Sequence, residues 1–259
     1  MTEARVIRHP LSWYVDKMAR GESYSSLLYG DGEFRAMFFA KDGEAISQYK
    51  DVVTPSLRRE LIDSLSSAGA DVLRGTDPHL IDWHLYEGGD KASVRSIGEG
   101  VQAGLAALGV PEPTWVDGTV WDRDVREGNL APFLREVVKR PAVLVGHPAL
   151  ADFARRLSMN GAGCEFVPVR PANASGDLDA LEAIIGGIPA SKVYLLCMGL
   201  GAIPLIMRLR RQRPVAWYFD LGSVLDVFAG LGASRGWRQE LYADPVRLKE
   251  TIDRNLEGV

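Results

Sequence analysis

The stretch Gly30-Asp31-Gly32-Glu33 puts two carboxylates on one short, glycine-punctuated segment at the end of the apolar run Tyr24-Ser25-Ser26-Leu27-Leu28-Tyr29. Acids alternating with glycines at a strand end can sit beside a divalent ion, while the bare glycine backbone leaves room for a diphosphate. That is metal-and-phosphate chemistry. By pattern alone a blander reading is stronger, because Asp-Gly between two apolar runs, residues 27–29 and 34–39, is a hairpin-turn signal.

Further candidate groups follow along the chain. Asp220 ends an apolar run and Asp226 comes six residues later. Either acid could bind a ribose or act as a base on a hydroxyl, and Asp220 could instead cap the helix after it. Gly199-Leu200-Gly201 opens like a dinucleotide fingerprint, but the third glycine position holds Pro204, so that motif fails. A two-glycine turn into a helix still offers N–H groups to a phosphate or ribose, or is only a tight turn with Pro204 in the first helical turn. His147, just beyond an apolar run, could meet a phosphate or a substrate hydroxyl, or serve as a hydrogen-bonded structural histidine. His79, Asp82 and His84 do not make a metal site, since helical residues 79 and 84 point roughly 140° apart. The basic run Arg208 to Arg213 reads as a solvated helix C-terminus. G-x-S-x-G, P-loop and H-E-x-x-H motifs are all missing from the sequence.

The Gly30–Glu33 segment resembles the Arg-Phe/Tyr-Gly-Asp-Gly-Glu signature of the GT-D-type glycosyltransferases. The resemblance extends to Phe166-Val-Pro-Val-Arg-Pro-Ala-Asn173, to Val193-Tyr-Leu-Leu-Cys-Met-Gly-Leu-Gly201, and to Ala216-Trp-Tyr-Phe-Asp-Leu-Gly-Ser-Val-Leu-Asp226. It frames residues 24–228, and within it only the GDGE element is specific. It implies metal-assisted transfer of a sugar from a nucleoside-diphosphate sugar, UDP-sugar favoured, to a hydroxyl acceptor. Asp31 and Glu33 would hold Mn²⁺ or Mg²⁺, with Asp220 and Asp226 as further catalytic acids. Gly30, Gly32, Arg35, Gly146, His147, Asn173, Gly199, Gly201, Gly222 and Ser223 would line the donor site. Leu28 stands where the family carries an arginine, and Arg35 is the nearest substitute. Two other functions remain open: a nucleotide-binding module without turnover, and an S-adenosylmethionine-dependent methyltransferase using Gly30-Asp31-Gly32 as its first loop. The methyltransferase gives no place to Glu33 or to the Asp220-Leu221-Gly222 pattern.

These groups must be positioned by regular elements. A helix is expected from residue 9 to a stop at Gly21, and a buried first strand at residues 25–29. Asp42-Gly43 turns the chain, a helix capped by Thr54-Pro55 runs to Gly69, and residues 70–75 read as a strand. Residues 78–109 read mostly as helix, although Gly98, Gly100 and Gly104 each cost about 1 kcal/mol against alanine. Small residues at that spacing mark close packing of another element. Residues 114–126 have no clean period and read as a strand followed by a loop, lining an acceptor or tucking two tryptophans into the core. Thereafter helices (130–140, 148–160, 177–185, 202–212) alternate with strands (142–146, 164–169, 192–197, 215–219). The alternation predicts one α/β domain over residues 1–259, a mainly parallel Rossmann-like sheet with helices on both faces. Ligands of such sheets bind beyond the carboxyl ends of the strands, where the candidate residues fall.

The 259 residues, 46% hydrophobic and 25% charged, suffice for a sizeable core. A net charge of -4 gives no general attraction to nucleic acid or anionic membrane. Cys164 and Cys197 lie far apart, without zinc or disulfide spacing. With no apolar leader and no spanning run, a cytoplasmic location is expected.

Overall fold

The computed structural model describes residues 6–46, 50–66, 69–83, 86, 91–109, 114–189, 192–231 and 236–259. Strands among them are β1 (Val6–Ile7), β2 (Ser25–Tyr29), β3 (Ala45–Ile46), β4 (Asp51–Val52), β5 (Val72–Thr76), β6 (Trp115–Asp117), β7 (Ala142–Gly146), β8 (Cys164–Pro168), β9 (Val193–Cys197) and β10 (Trp217–Asp220). Helices are α1 (Leu11–Ala19), α2 (Asp31–Phe38), α3 (Pro55–Ser66), α4 (Pro78–Ile81), α5 (Lys91–Leu108), α6 (Val120–Glu127), α7 (Ala131–Val138), α8 (Ala151–Met159), α9 (Leu178–Gly187), α10 (Ala202–Gln212), α11 (Gly236–Tyr242) and α12 (Pro245–Asn255). Eight strands form one sheet in the order β1-β6-β5-β2-β10-β9-β7-β8, and every pairing in it is parallel. β3 and β4 form a separate antiparallel hairpin.

Successive strand residues point to opposite faces, and the two cores separate accordingly. Tyr194, Leu196 and Tyr218 pack with α2, α3, α5, α9 and α10. Val193, Leu195, Trp217 and Phe219 pack with α1, α6, α7 and α8. The expected α/β class with helices on both faces is what the chain adopts. The chain leaving β2 builds the sheet toward β5 and β6, whereas later strands build it the other way, so the halves meet between β2 and β10. Such a switch point leaves a crevice at the carboxyl ends of the two strands.

Three local expectations are corrected. Residues 34–39 are not the second strand of a hairpin: α2 begins at Asp31, directly after Gly30. Phe34, Met37 and Phe38 fall at i, i+3 and i+4, and burying Phe34 and Met37 stabilises the helix by roughly 1.5–3 kcal/mol each. Residues 120–127 are helix rather than loop; Trp121 and Val125, one turn apart, are buried beneath an otherwise charged face, and Trp115 is buried too. In the stretch 78–109 the helix is broken into α4 and α5, and His84 lies outside the described residues. The glycines of α5 do admit other elements. A Cβ would fall 2.3 Å from Trp83 Cδ1 at Gly98, 2.3 Å from Phe39 Cζ at Gly100 and 2.4 Å from Phe38 Cδ1 at Gly104.

Candidate active site

The switch point carries the acids. Gly30 is the extended residue that ends β2 and caps α2, and its N–H donates to Glu33 Oε2 at 2.8 Å. A side chain at Gly30 would press on that carboxylate, since its Cβ would lie 3.1 Å from Oε2. Asp31 is exposed at the first helical position, and Gly32 and Glu33 are half-buried. First-turn N–H groups lack helical partners, and the helix dipole adds positive potential there, so this end suits a phosphate.

Neighbouring β10 delivers Asp220, only 2% exposed. Its Oδ2 accepts from Leu28 N–H at 3.3 Å and its Oδ1 from Gly222 N–H at 3.0 Å, tying the two strand ends together. Gly222 has φ +54°, a left-handed conformation that favours glycine. Burial first, and then the Glu33 charge, raise the Asp220 carboxyl well above the usual carboxylate range. Glu33 itself is pushed up to about 7, chiefly by burial and further by Asp31 and Asp51, against the opposing pull of backbone N–H groups. Although part of the Glu33 side chain reaches the surface, chain packs densely around its carboxylate, and this decides the direction of the shift.

Other expected residues divide by what already holds them. Arg35 is exposed and paired with Glu44 at 2.6 Å, on the side of the 41–44 turn. His147 Nδ1 accepts from Ala149 N–H at 3.1 Å, which makes it a cap for the turn after β7. Gly146 is buried, and a Cβ there would lie 2.8 Å from Leu150 Cδ1. Asp226 and Ser223 belong to a buried cluster around Arg238, which is 0% exposed. The Arg238 guanidinium donates to the Ser223 carbonyl and hydroxyl and lies 3.8 Å from Asp226 and 3.5 Å from Asp122. Burial first, and then the charges of Asp226 and Asp220, push the Cys197 thiol up. Gly199 is left-handed at φ +66°, and the Leu200 N–H between the glycines is engaged by Asp51. Asn173 is also left-handed, and its Oδ1 accepts from Val52 N–H.

Asp51 and Arg238 are the polar residues that the sequence did not reveal. Asp51 stands in an unremarkable Lys50-Asp51-Val52-Val53 run, and Arg238 in a segment without a motif; their partners are far away in the chain. Leu28, in the expected arginine position, lies between two glycines, its methyls 2.5 Å and 3.2 Å from where Cβ atoms of Gly118 and Gly222 would sit.

Among the described residues no group of three or more His, Cys, Asp or Glu side chains is arranged to hold a metal ion. Asp31 and Glu33 alone still fit a divalent cation in donor chemistry, since both offer carboxylate oxygens.

No family model and no curated protein matches the sequence. Solved structures do resemble it. A domain of unknown function 1792, described as having a distinct glycosyltransferase fold, aligns with a TM-score of 0.64 over 85% of this chain and 79% of its own, at 14% identity; its selenomethionine-substituted form gives the same values. A protein described as a new glycosyltransferase of the same domain type, from Streptococcus sanguinis, aligns with a TM-score of 0.61 over 85% of this chain and 82% of its own, at 13% identity. At such identity the likeness is one of fold: this chain has the α/β architecture that those structures describe as a glycosyltransferase fold.

Proposed function

We propose that the protein is a glycosyltransferase that moves a sugar from a nucleoside-diphosphate sugar, UDP-sugar favoured, to an acceptor hydroxyl. The observation that carries this reading is the joining of Asp31, Glu33 and Asp220 at the switch point, where a helix N-terminus also begins. Ionised carboxylates at a crevice repel a free diphosphate. They accept one that arrives with a divalent cation, and Asp31 and Glu33 are the residues that would hold it. That cation, Mn²⁺ or Mg²⁺, would stabilise charge on the departing diphosphate.

The protein's own groups do the rest. First-turn N–H groups of α2 face the diphosphate, and Gly30 keeps Glu33 turned toward the strand end. The ribose and base lie toward residues 199–201 and 220–223. Asp220 braces the crevice through Leu28 and Gly222.

Thermal shift tests the reading directly, because a ligand that binds the folded state stabilises it, more so the tighter it binds. UDP-sugars with Mn²⁺ are expected to raise Tm and S-adenosylmethionine to leave it unchanged. Stabilisation by S-adenosylmethionine alone would overturn the proposal, and nucleotide binding without donor cleavage or transfer to any acceptor would leave a binding module.

A further inference from the structure

Asp51 is a carboxylate with no exposed surface, carried by the β3–β4 hairpin outside the main sheet. Its Oδ1 accepts from Ser175 N–H at 3.1 Å, and its Oδ2 from Leu200 N–H at 3.2 Å. Asn173 returns the connection, its Oδ1 accepting from Val52 N–H at 3.0 Å and from the Ser175 hydroxyl at 3.3 Å. Gly201 permits the close approach, since a Cβ there would lie 3.2 Å from Ser175 Cα. One side chain therefore joins the segment after β8, the segment after β9 and the hairpin that follows α2.

We propose that Asp51 is a positioning residue that fixes the Gly199–Gly201 turn against the β3–β4 hairpin that follows α2 and thereby sets donor affinity. The affinity part rests on the nucleoside-diphosphate reading above; the bracket itself does not. Two backbone N–H groups converge on two carboxylate oxygens, so an amide in the same place turns one acceptor into a donor and leaves an N–H unsatisfied. Loosening this junction acts on ligand binding before it acts on bond breaking, because the bracket touches loops and not the acids of α2.

The experiment compares wild type, Asp51→Asn and Thr54→Ala by amide hydrogen exchange at Ser175 and Leu200 and by calorimetric titration with UDP in Mn²⁺. Thr54 caps α3 just beyond the hairpin, its Oγ1 accepting from Leu57 N–H, so its loss lowers stability without touching the bracket. Asp51→Asn is expected to speed exchange at one or both amides by about tenfold or more. It should weaken UDP about tenfold, and in transfer assays raise donor KM with kcat within about threefold. Thr54→Ala should keep wild-type exchange at both amides and wild-type UDP affinity. Unchanged exchange in Asp51→Asn, or an equal loss of UDP affinity in Thr54→Ala, overturns the inference. If Asp51→Asn does not fold, Asp51→Glu, which keeps both acceptors but displaces them by one methylene, is read by the same two criteria. Wild type that binds no UDP would defeat the functional reading, and the exchange data would then decide the bracket alone.

Discussion

Asp220 ends β10, and Glu33 sits in the first turn of the helix that follows the adjacent parallel strand β2, close enough that the charge on Glu33 adds to burial in raising the Asp220 carboxyl well above the ordinary range. One acid is tied to the Gly30 amide and the other to the Leu28 and Gly222 amides, so neither can swing away to relieve the repulsion. The crevice is built so that the ionised forms of both acids are disfavoured.

Stability should record that cost of ionisation. The Glu33 pKa is raised from 4.5 to about 7 on folding, so the folded state binds the proton more tightly. Its contribution to stability is full below pH 4.5 and is lost as pH rises through about 7. Glu33→Gln keeps an oxygen for the Gly30 N–H and removes the titration, so Tm against pH should fall less steeply across that window than in wild type. Parallel curves for the two proteins would show that Glu33 does not titrate in it.

Asp31 is exposed, so Asp31→Asn should change stability by less than about 0.5 kcal/mol. Metal-dependent transfer should nevertheless fall by roughly 100-fold or more, as when a group that stabilises developing charge is removed. Turnover and chemical denaturation measured side by side check this. Full transfer by the Asp31→Asn, Glu33→Gln double variant would end the metal reading of the motif.

Asp220→Asn should weaken nucleoside-diphosphate binding while the protein remains folded, because the amide can still accept one of the two N–H groups that Asp220 serves. Titration with UDP and Mn²⁺ reads this out, and an unchanged affinity removes Asp220 from the donor site.

Arg238 is a buried cation between Asp122 and Asp226. Arg238→Met leaves those acids without its charge and should cost about 3–5 kcal/mol, the loss expected when one partner of a buried ion pair is removed. Urea denaturation measures it. On this account Asp226→Asn loses stability and activity together, whereas selective loss of turnover at unchanged stability would return Asp226 to the catalytic acids.

The glycines of α5 offer a paired test of packing against helix propensity. Alanine is favoured over glycine by about 1 kcal/mol in a helix interior. At Gly100 the obstructing atom is the tip of Phe39, a side chain 46% exposed and able to shift, so Gly100→Ala should be neutral or stabilising. At Gly98 the neighbours are Trp83 and, at 3.3 Å, the Leu80 carbonyl, so Gly98→Ala should be destabilising. Equal Tm shifts in the two variants would contradict this packing.

The order of strands and helices from residue 130 onward was legible from the chain itself, because hydrophobic period is a local property and α7 to α10 and β7 to β10 each carry it without interruption. The same holds for the α/β class and for the placing of candidate acids at strand ends. What local pattern could not decide was the conformation of residues 31–38: Asp-Gly between apolar runs serves a hairpin or a helix start equally, and the burial of Phe34 and Met37 beside Trp115, a residue remote in sequence, selects the helix. Helix α6 was hidden for a related reason, its apolar side being narrow and its meaning supplied by Tyr14 and Phe133 packed on Trp121. Within the site, Asp31 and Glu33 could be found from adjacent residues, but Asp51 reaches Ser175 and Leu200, and Arg238 reaches Asp122, across intervals that only the fold closes. Hydrogen bonds and charge couplings between distant segments depend on which strand lies beside which, and that choice is made by the packing of whole elements.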